Sequence, residues 1–143
     1  EIKNSLLIYA IGANDTIFDP KDDERTPKVS PEKFRENLER LLALGKYYEI
    51  KTIFVGTTPC NEDKTIPVSW DPQVGYTNYW LNEYRKIMED VAQKNNVPYI
   101  LMWDIFAEGD WRGMLPDGIH PNSEAHEKMF EEVKKFLEEK SLI

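Results

Sequence analysis

The sequence predicts an α/β domain of three layers, α/β/α, built on a parallel sheet. Three observations carry that reading. Apolar runs of strand length at residues 6–11, 53–55 and 97–103 alternate with segments whose apolar residues recur every three or four positions. The first run, Leu-Leu-Ile-Tyr-Ala-Ile, is continuous rather than alternating, which suits a strand buried on both faces. The resulting order is strand, helix, strand, helix, strand, loop, helix, and such an order implies parallel strands joined by right-handed crossovers.

Each element has its own local justification. The run 6–11 ends at Gly12, and Gly12-Ala13-Asn14-Asp15-Thr16 marks a turn beyond its carboxyl end. Ligands of open α/β sheets bind at that edge. Residues 19–29 are rich in proline, lysine and acids without apolar period and read as an exposed loop. Ser30-Pro31 opens a helix as N-cap and first-turn proline, with Phe34, Leu38, Leu41 and Leu42 as its buried stripe and Gly45 near its end. After Ile53-Phe54-Val55-Gly56, residues 57–75 form a long loop with turn formers at Pro59, Pro67, Pro72 and Gly75, long enough to be a functional rim. Thr77 or Asn78 caps the next helix, which buries Leu81, Tyr84, Met88 and Val91 and ends at Asn95-Asn96. Residues 97–103 read as a third strand, and residues 105–116 as a second rim loop carrying Trp111. The final helix starts at Asn122 and buries Ala125, Met129, Val133, Phe136 and Leu137.

Composition narrows the partners. A chain of 143 residues has the size of one domain, and 41% hydrophobic residues suffice for a packed core. No apolar run approaches the roughly 18 residues of a membrane span. A net charge of -8 argues against nucleic acid and anionic membrane, both of which need a basic surface. The single cysteine, Cys60, rules out an internal disulfide framework and favours a reducing compartment such as the cytoplasm. The chain starts at Glu1 and runs almost at once into its first strand, like the middle of a longer polypeptide, so signal peptides cannot be judged from it.

Chemistry concentrates at Asp117-Gly118-Ile119-His120-Pro121-Asn122. An aspartate that reaches one ring nitrogen of His120 fixes its tautomer and leaves the other nitrogen free to take a proton from a nucleophile. Gly118 permits the chain reversal, Pro121 stiffens the approach to the helix, and Asn122 can cap it. The plainer alternative is that Asp117 and Asn122 serve only as turn and cap, with His120 on the surface. Asn14-Asp15 has a similar alternative as a simple turn. Both motifs fall at the same predicted rim, which strengthens each.

These residues resemble the GDSL-type esterases and lipases, the SGNH hydrolases. Gly12-Ala13-Asn14-Asp15 after a buried strand is similar to the family's Gly-x-Asn-Asp block, and Asp117-Gly118-Ile119-His120 before the last helix to its Asp-x-x-His block. The resemblance implies a flavodoxin-like parallel sheet of five strands, an acyl-enzyme mechanism, an ester substrate, and neither metal nor organic cofactor. It implies His120 as general base and then acid, Asp117 as its orienting carboxylate, Asn14 as an oxyanion donor, and Gly12 as a point of close backbone approach. Asp15 is read as a local hydrogen-bonding residue.

The family's nucleophilic Gly-Asp-Ser block and its oxyanion glycine precede the Gly-x-Asn-Asp strand, and neither is found here. None of Ser5, Ser30, Ser69, Ser123 and Ser141 follows Gly-Asp. Residues 1–143 therefore read as the carboxyl-terminal part of a single SGNH hydrolase domain. The expected partner is an amino-terminal fragment, or another copy of the chain, that completes the sheet beside residues 6–11. Cys60 is a chemically competent substitute nucleophile but lacks a visible activator. His126 lies on another side of the helix from His120, and no HExxH or cysteine cluster points to metal. Trp70, Tyr76, Trp80, Trp103 and Trp111 lie in or beside the rim, where they can line an acyl pocket or stack on a sugar. Acetylated sugars, short-chain esters, thioesters and lysophospholipids all remain open as substrates. Two other readings stand beside this one. One is a non-catalytic binding or assembly module that retains the fold; the other, a nucleotide binder, is disfavoured by the lack of a glycine-rich phosphate loop.

Overall fold

A computed structural model of the chain describes residues 5–106 and 110–143. Its elements are β1 (Leu6–Ala10), α1 (Pro31–Tyr47), β2 (Lys51–Val55), α2 (Glu62–Thr65), α3 (Asn78–Lys94), β3 (Tyr99–Ile100) and α4 (Ser123–Glu139). Short 3-10 turns occupy Asn14–Thr16, Met102–Phe106 and Trp111–Met114. The strands form one parallel sheet in the order β1-β2-β3, with Leu6 opposite Lys51 and Phe54 opposite Tyr99. Among the described residues no helix is long and apolar enough to cross a membrane.

The helix ends follow their local chemistry. The Ser30 hydroxyl accepts the Lys33 N–H with Pro31 in the first turn, the Thr77 hydroxyl accepts the Trp80 N–H, and Asn122 Oδ1 accepts the Ala125 N–H at 2.9 Å. Gly45 lies in the last turn of α1, near its end as expected, and is packed so closely that an added Cβ would come within 2.6 Å of the Thr52 hydroxyl.

The two faces of the sheet carry different cores. Phe34, Leu38, Phe54, Tyr84, Met88 and Val91 join α1 and α3 to one face, with Tyr9 packed against them. Ile53, Val55, Ile100, Met102 and Leu137 join α4 to the other, with Leu6, Met129, Val133 and Phe136 at the margin. This is the three-layer α/β/α arrangement expected.

Four details differ from expectation. The first strand is not buried on both faces: it pairs with β2 alone among the described residues, and Ile8 is 38% exposed. The cause is the placement of α4, which covers Ile53, Val55 and Ile100 and leaves Ile8 uncovered on the same face. The third strand is only two residues long, because the chain coils into a 3-10 turn at Met102 once it passes β2. The rim loop 57–75 contains α2, announced by Asn61 as N-cap with Glu62 and Asp63 in the first turn. The rim segment 105–116 begins inside the turn Met102–Phe106 and holds the turn Trp111–Met114, and its residues 107–109 lie outside the described residues.

Candidate active site

The site is built on two turns beyond the carboxyl ends of the strands. In the first, Asp117 Oδ1 accepts the backbone N–H groups of Ile119 and His120, at 3.0 and 2.8 Å. These bonds fold the chain back on itself and leave Oδ2 to contact His120 Nδ1 at 2.7 Å. Gly118 makes the reversal possible, since its φ of +98° is costly for any residue with a Cβ. It is also clamped: the Asn61 N–H donates to its carbonyl at 2.7 Å, and an added Cβ would lie 2.8 Å from both Lys64 Cβ and Thr65 Cγ2. Lys64 Nζ donates to the neighbouring Pro116 carbonyl at 2.9 Å. The base of the loop 57–75 thus fixes the turn that carries His120.

Burial pushes the Asp117 carboxyl up, but the N–H groups of His120 and Ile119 and the His120 ring outweigh it and hold the carboxyl below its ordinary value. Asp117 is therefore ionised at neutral pH and suited to keep the proton on Nδ1. His120 is open to solvent, its side chain 68% exposed. Its other ring nitrogen makes no hydrogen bond among the described residues.

The second turn follows β1. Gly12 is buried with φ +112°, and its missing Cβ would come within 3.0 Å of the Phe34 ring. The close approach at Gly12 is thus to the core of the domain. Asn14 stands exposed at the start of the 3-10 turn, and its Oδ1 accepts from the Tyr76 hydroxyl at 3.1 Å. Asp15 is half-buried, burial raises its carboxyl, and its backbone carbonyl accepts the Val29 N–H at 3.1 Å. Its carbonyl thus ties the turn to the segment just before α1, and the charge of Lys28 reaches its carboxyl.

One apolar cluster brings the turns together. Cys60, Val68, Tyr76, Leu81 and Ile119 pack as a unit, with Ala13, Ile17 and Trp103 against them. Ala13 immediately precedes Asn14 and Ile119 immediately precedes His120, so the two motifs share a rim. The charge of Asp117 also reaches the Tyr76 hydroxyl.

The other candidates separate clearly. Cys60 is fully buried, and burial pushes its thiol up to about 11, so it stays protonated and inaccessible. Ser123 is an exposed first-turn residue of α4, and His126 is exposed on the same helix. Of the rim aromatics, Trp70 is half exposed, with its ring centroid 5.4 Å from that of His120, and Tyr76 reaches Asn14. Trp80 donates its indole N–H to the Arg25 carbonyl and packs on the α1/α3 core, Trp103 lies under Arg85, and Trp111 packs beside Phe106 and Met114. Sequence spacing does not single out Tyr76, because nothing local distinguishes it from the other rim aromatics.

Known proteins resemble this chain in sequence and in fold. The sequence model of the GDSL-like Lipase/Acylhydrolase family matches residues 1–128. An uncharacterised lipoprotein of Bacillus subtilis (strain 168), YqeF, is 28% identical over 118 residues, covering 76% of this chain and 47% of its own. The isoamyl acetate-hydrolyzing esterase of Saccharomyces cerevisiae (strain ATCC 204508 / S288c) is 24% identical over 139 residues, covering 90% of this chain and 54% of its own. The chain thus spans about half the length of these curated relatives. A GDSL-like lipase from Bacteroides thetaiotaomicron VPI-5482 has the same fold at a TM-score of 0.72 and 20% identity, over 94% of this chain and 62% of that one. With the fold, the order of the two turns and the family match in agreement, the chain belongs to the GDSL-like lipase/acylhydrolase family.

Proposed function

We propose that this chain supplies the base and part of the oxyanion hole of a serine ester hydrolase whose nucleophile lies on a segment outside these 143 residues. The observation that carries the reading is the 2.7 Å contact between Asp117 Oδ2 and His120 Nδ1, with the remainder of the imidazole open to solvent. With its proton held on Nδ1, His120 takes the serine proton at Nε2 as the serine oxygen attacks the ester carbonyl. The Asn14 amide donates to the oxyanion of the tetrahedral intermediate. Collapse breaks the bond to the alcohol, which leaves with the proton from His120, and an acyl-serine remains. Water then attacks that ester with His120 as base again, releasing the carboxylic acid and restoring the serine. Trp70 gives the mouth of the site an apolar wall beside the imidazole.

An amino-terminal segment completes the sheet beside β1 and brings the serine with it. Supporting this are the exposure of Ile8 within β1 and Ile11 just beyond it, and the 61% exposure of Phe130, which continues the α4 stripe of Val133 and Leu137 at spacings of three and seven. The greater length of the relatives agrees with it.

The test is ester turnover by the complete protein. His120→Ala should lower kcat at least about 1000-fold with folding unchanged, within the range of general-base catalysis. Undiminished turnover would sink the assignment.

A further inference from the structure

Asn14 is useful as an oxyanion donor only if its amide nitrogen, and not its oxygen, faces the substrate. A terminal carboxamide has two orientations related by a half turn, and at an exposed position both are accessible. The wrong one presents a lone pair to a developing negative charge. In this chain Asn14 is exposed and sits on a single 3-10 turn. Its one side-chain hydrogen bond among the described residues is the 3.1 Å contact of Oδ1 with the Tyr76 hydroxyl.

Tyr76 is well placed to hold that oxygen. The residue is 4% exposed, and its hydroxyl contacts no other acceptor among the described residues, so the proton goes to Asn14 Oδ1 rather than being left unused in a buried site. Burial first, and the charge of Asp117 second, hold the phenol above its ordinary range, so the proton is retained at any working pH. The backbone of Tyr76 is fixed on both sides by Thr65: the Tyr76 N–H donates to the Thr65 carbonyl, and Thr65 Oγ1 donates to the Tyr76 carbonyl, each at 3.0 Å. Thr65 is itself fully buried, and its methyl group lies against Gly118. A continuous strut therefore runs from the turn carrying His120 through Thr65 and Tyr76 to Asn14.

We propose that Tyr76 is a positioning residue, whose hydroxyl locks the Asn14 carboxamide with its nitrogen toward the oxyanion and whose mounting on Thr65 sets that nitrogen relative to His120. This rests on the reading of Asn14 as oxyanion donor given above. Tyr76 touches no reacting atom; its effect passes through Asn14. The loss expected from freeing the amide is therefore a fraction of the loss expected from deleting it.

The experiment is a double-mutant cycle on ester hydrolysis by the complete protein, with His120→Ala as reference. Tyr76→Phe removes only the oxygen atom and should lower kcat about tenfold while leaving KM within about twofold, part of the 100- to 1000-fold span of an oxyanion donor. In an Asn14→Ala background the same substitution should have no further effect on kcat. If His120→Ala abolishes turnover but Tyr76→Phe is fully active, or costs the same factor with and without Asn14, the positioning role is overturned and the base assignment stands. If His120→Ala leaves turnover intact, the underlying reading fails instead. Should Tyr76→Phe fail to fold, the wild-type protein decides: nuclear magnetic resonance relaxation of the Asn14 side-chain amide should show a rigid carboxamide, and free rotation would overturn the proposal.

Discussion

Asp117 and His120 are three residues apart and share one turn, whereas Asn14 and Tyr76 are 62 residues apart and meet only because the sheet and the loop 57–75 bring them together. The first pair is set mainly by hydrogen bonds within four residues of chain and a glycine that the local geometry requires, with Asn61 and Lys64 only bracing that turn from the loop 57–75. The second depends on Thr65, on the cluster around Cys60 and Ile119, and on the packing of β1 against β2. The two halves of the site are therefore unequally robust. A local turn keeps its geometry as long as its own few bonds survive, while an arrangement spanning the fold inherits every disturbance in between.

The largest expected effect separates the two halves by their coupling. Once His120→Ala has removed the base, Asp117→Asn should cost nothing more, because residues that act as a unit are non-additive. Asn14→Ala should still lower the residual rate in the His120→Ala background, since the proposed oxyanion donor acts without the base. Steady-state kinetics of the two double variants read this directly, and equal additivity in both would erase the distinction. Next comes Asn14→Ala alone, expected to lower kcat about 100- to 1000-fold with little change in KM.

Smaller effects probe the local turn. Gly118→Ala forces a Cβ into left-handed backbone and against Thr65 and Lys64, and should destabilise the fold by roughly 1–3 kcal/mol, read as a fall in Tm. An unchanged Tm would mean that the turn is not held as described. The smallest effect concerns pH. The folded-state pKa of Asp117 lies below its ordinary value of 3.8, so its stabilising contribution is complete above that value and is lost as pH falls through the lowered folded value. Asp117→Asn should therefore lower Tm at pH 7 and lose its effect as pH falls below the ordinary carboxylate value, a difference that thermal melts across that range would detect.

The same contrast governs which features are legible in the sequence. The helix caps at Ser30, Thr77 and Asn122, the buried stripe Leu81, Tyr84, Met88 and Val91, and the Asp117–His120 pair all depend on neighbours within a few residues, and each is found where its spacing puts it. The contact of Tyr76 with Asn14 depends on tertiary packing, which no local spacing encodes. The exposure of Ile8 is hidden for a related reason: a continuous apolar run states that a strand wants cover on both faces, not whether α4 reaches far enough to provide it. α2 is signalled by Asn61-Glu62-Asp63, an N-cap followed by acids, but four residues are too few to stand out within a long loop.

If this chain holds the base while the nucleophile lies elsewhere, labelling the serine locates the missing half. Treating the complete protein with a fluorophosphonate, which reacts with activated serines, and mapping the adduct by peptide mass spectrometry does so. A single adduct is expected, on a serine outside these 143 residues, and it should be lost in His120→Ala. An adduct on Ser5, Ser30, Ser69, Ser123 or Ser141, or one that persists without His120, would show instead that the base and nucleophile are not divided in this way.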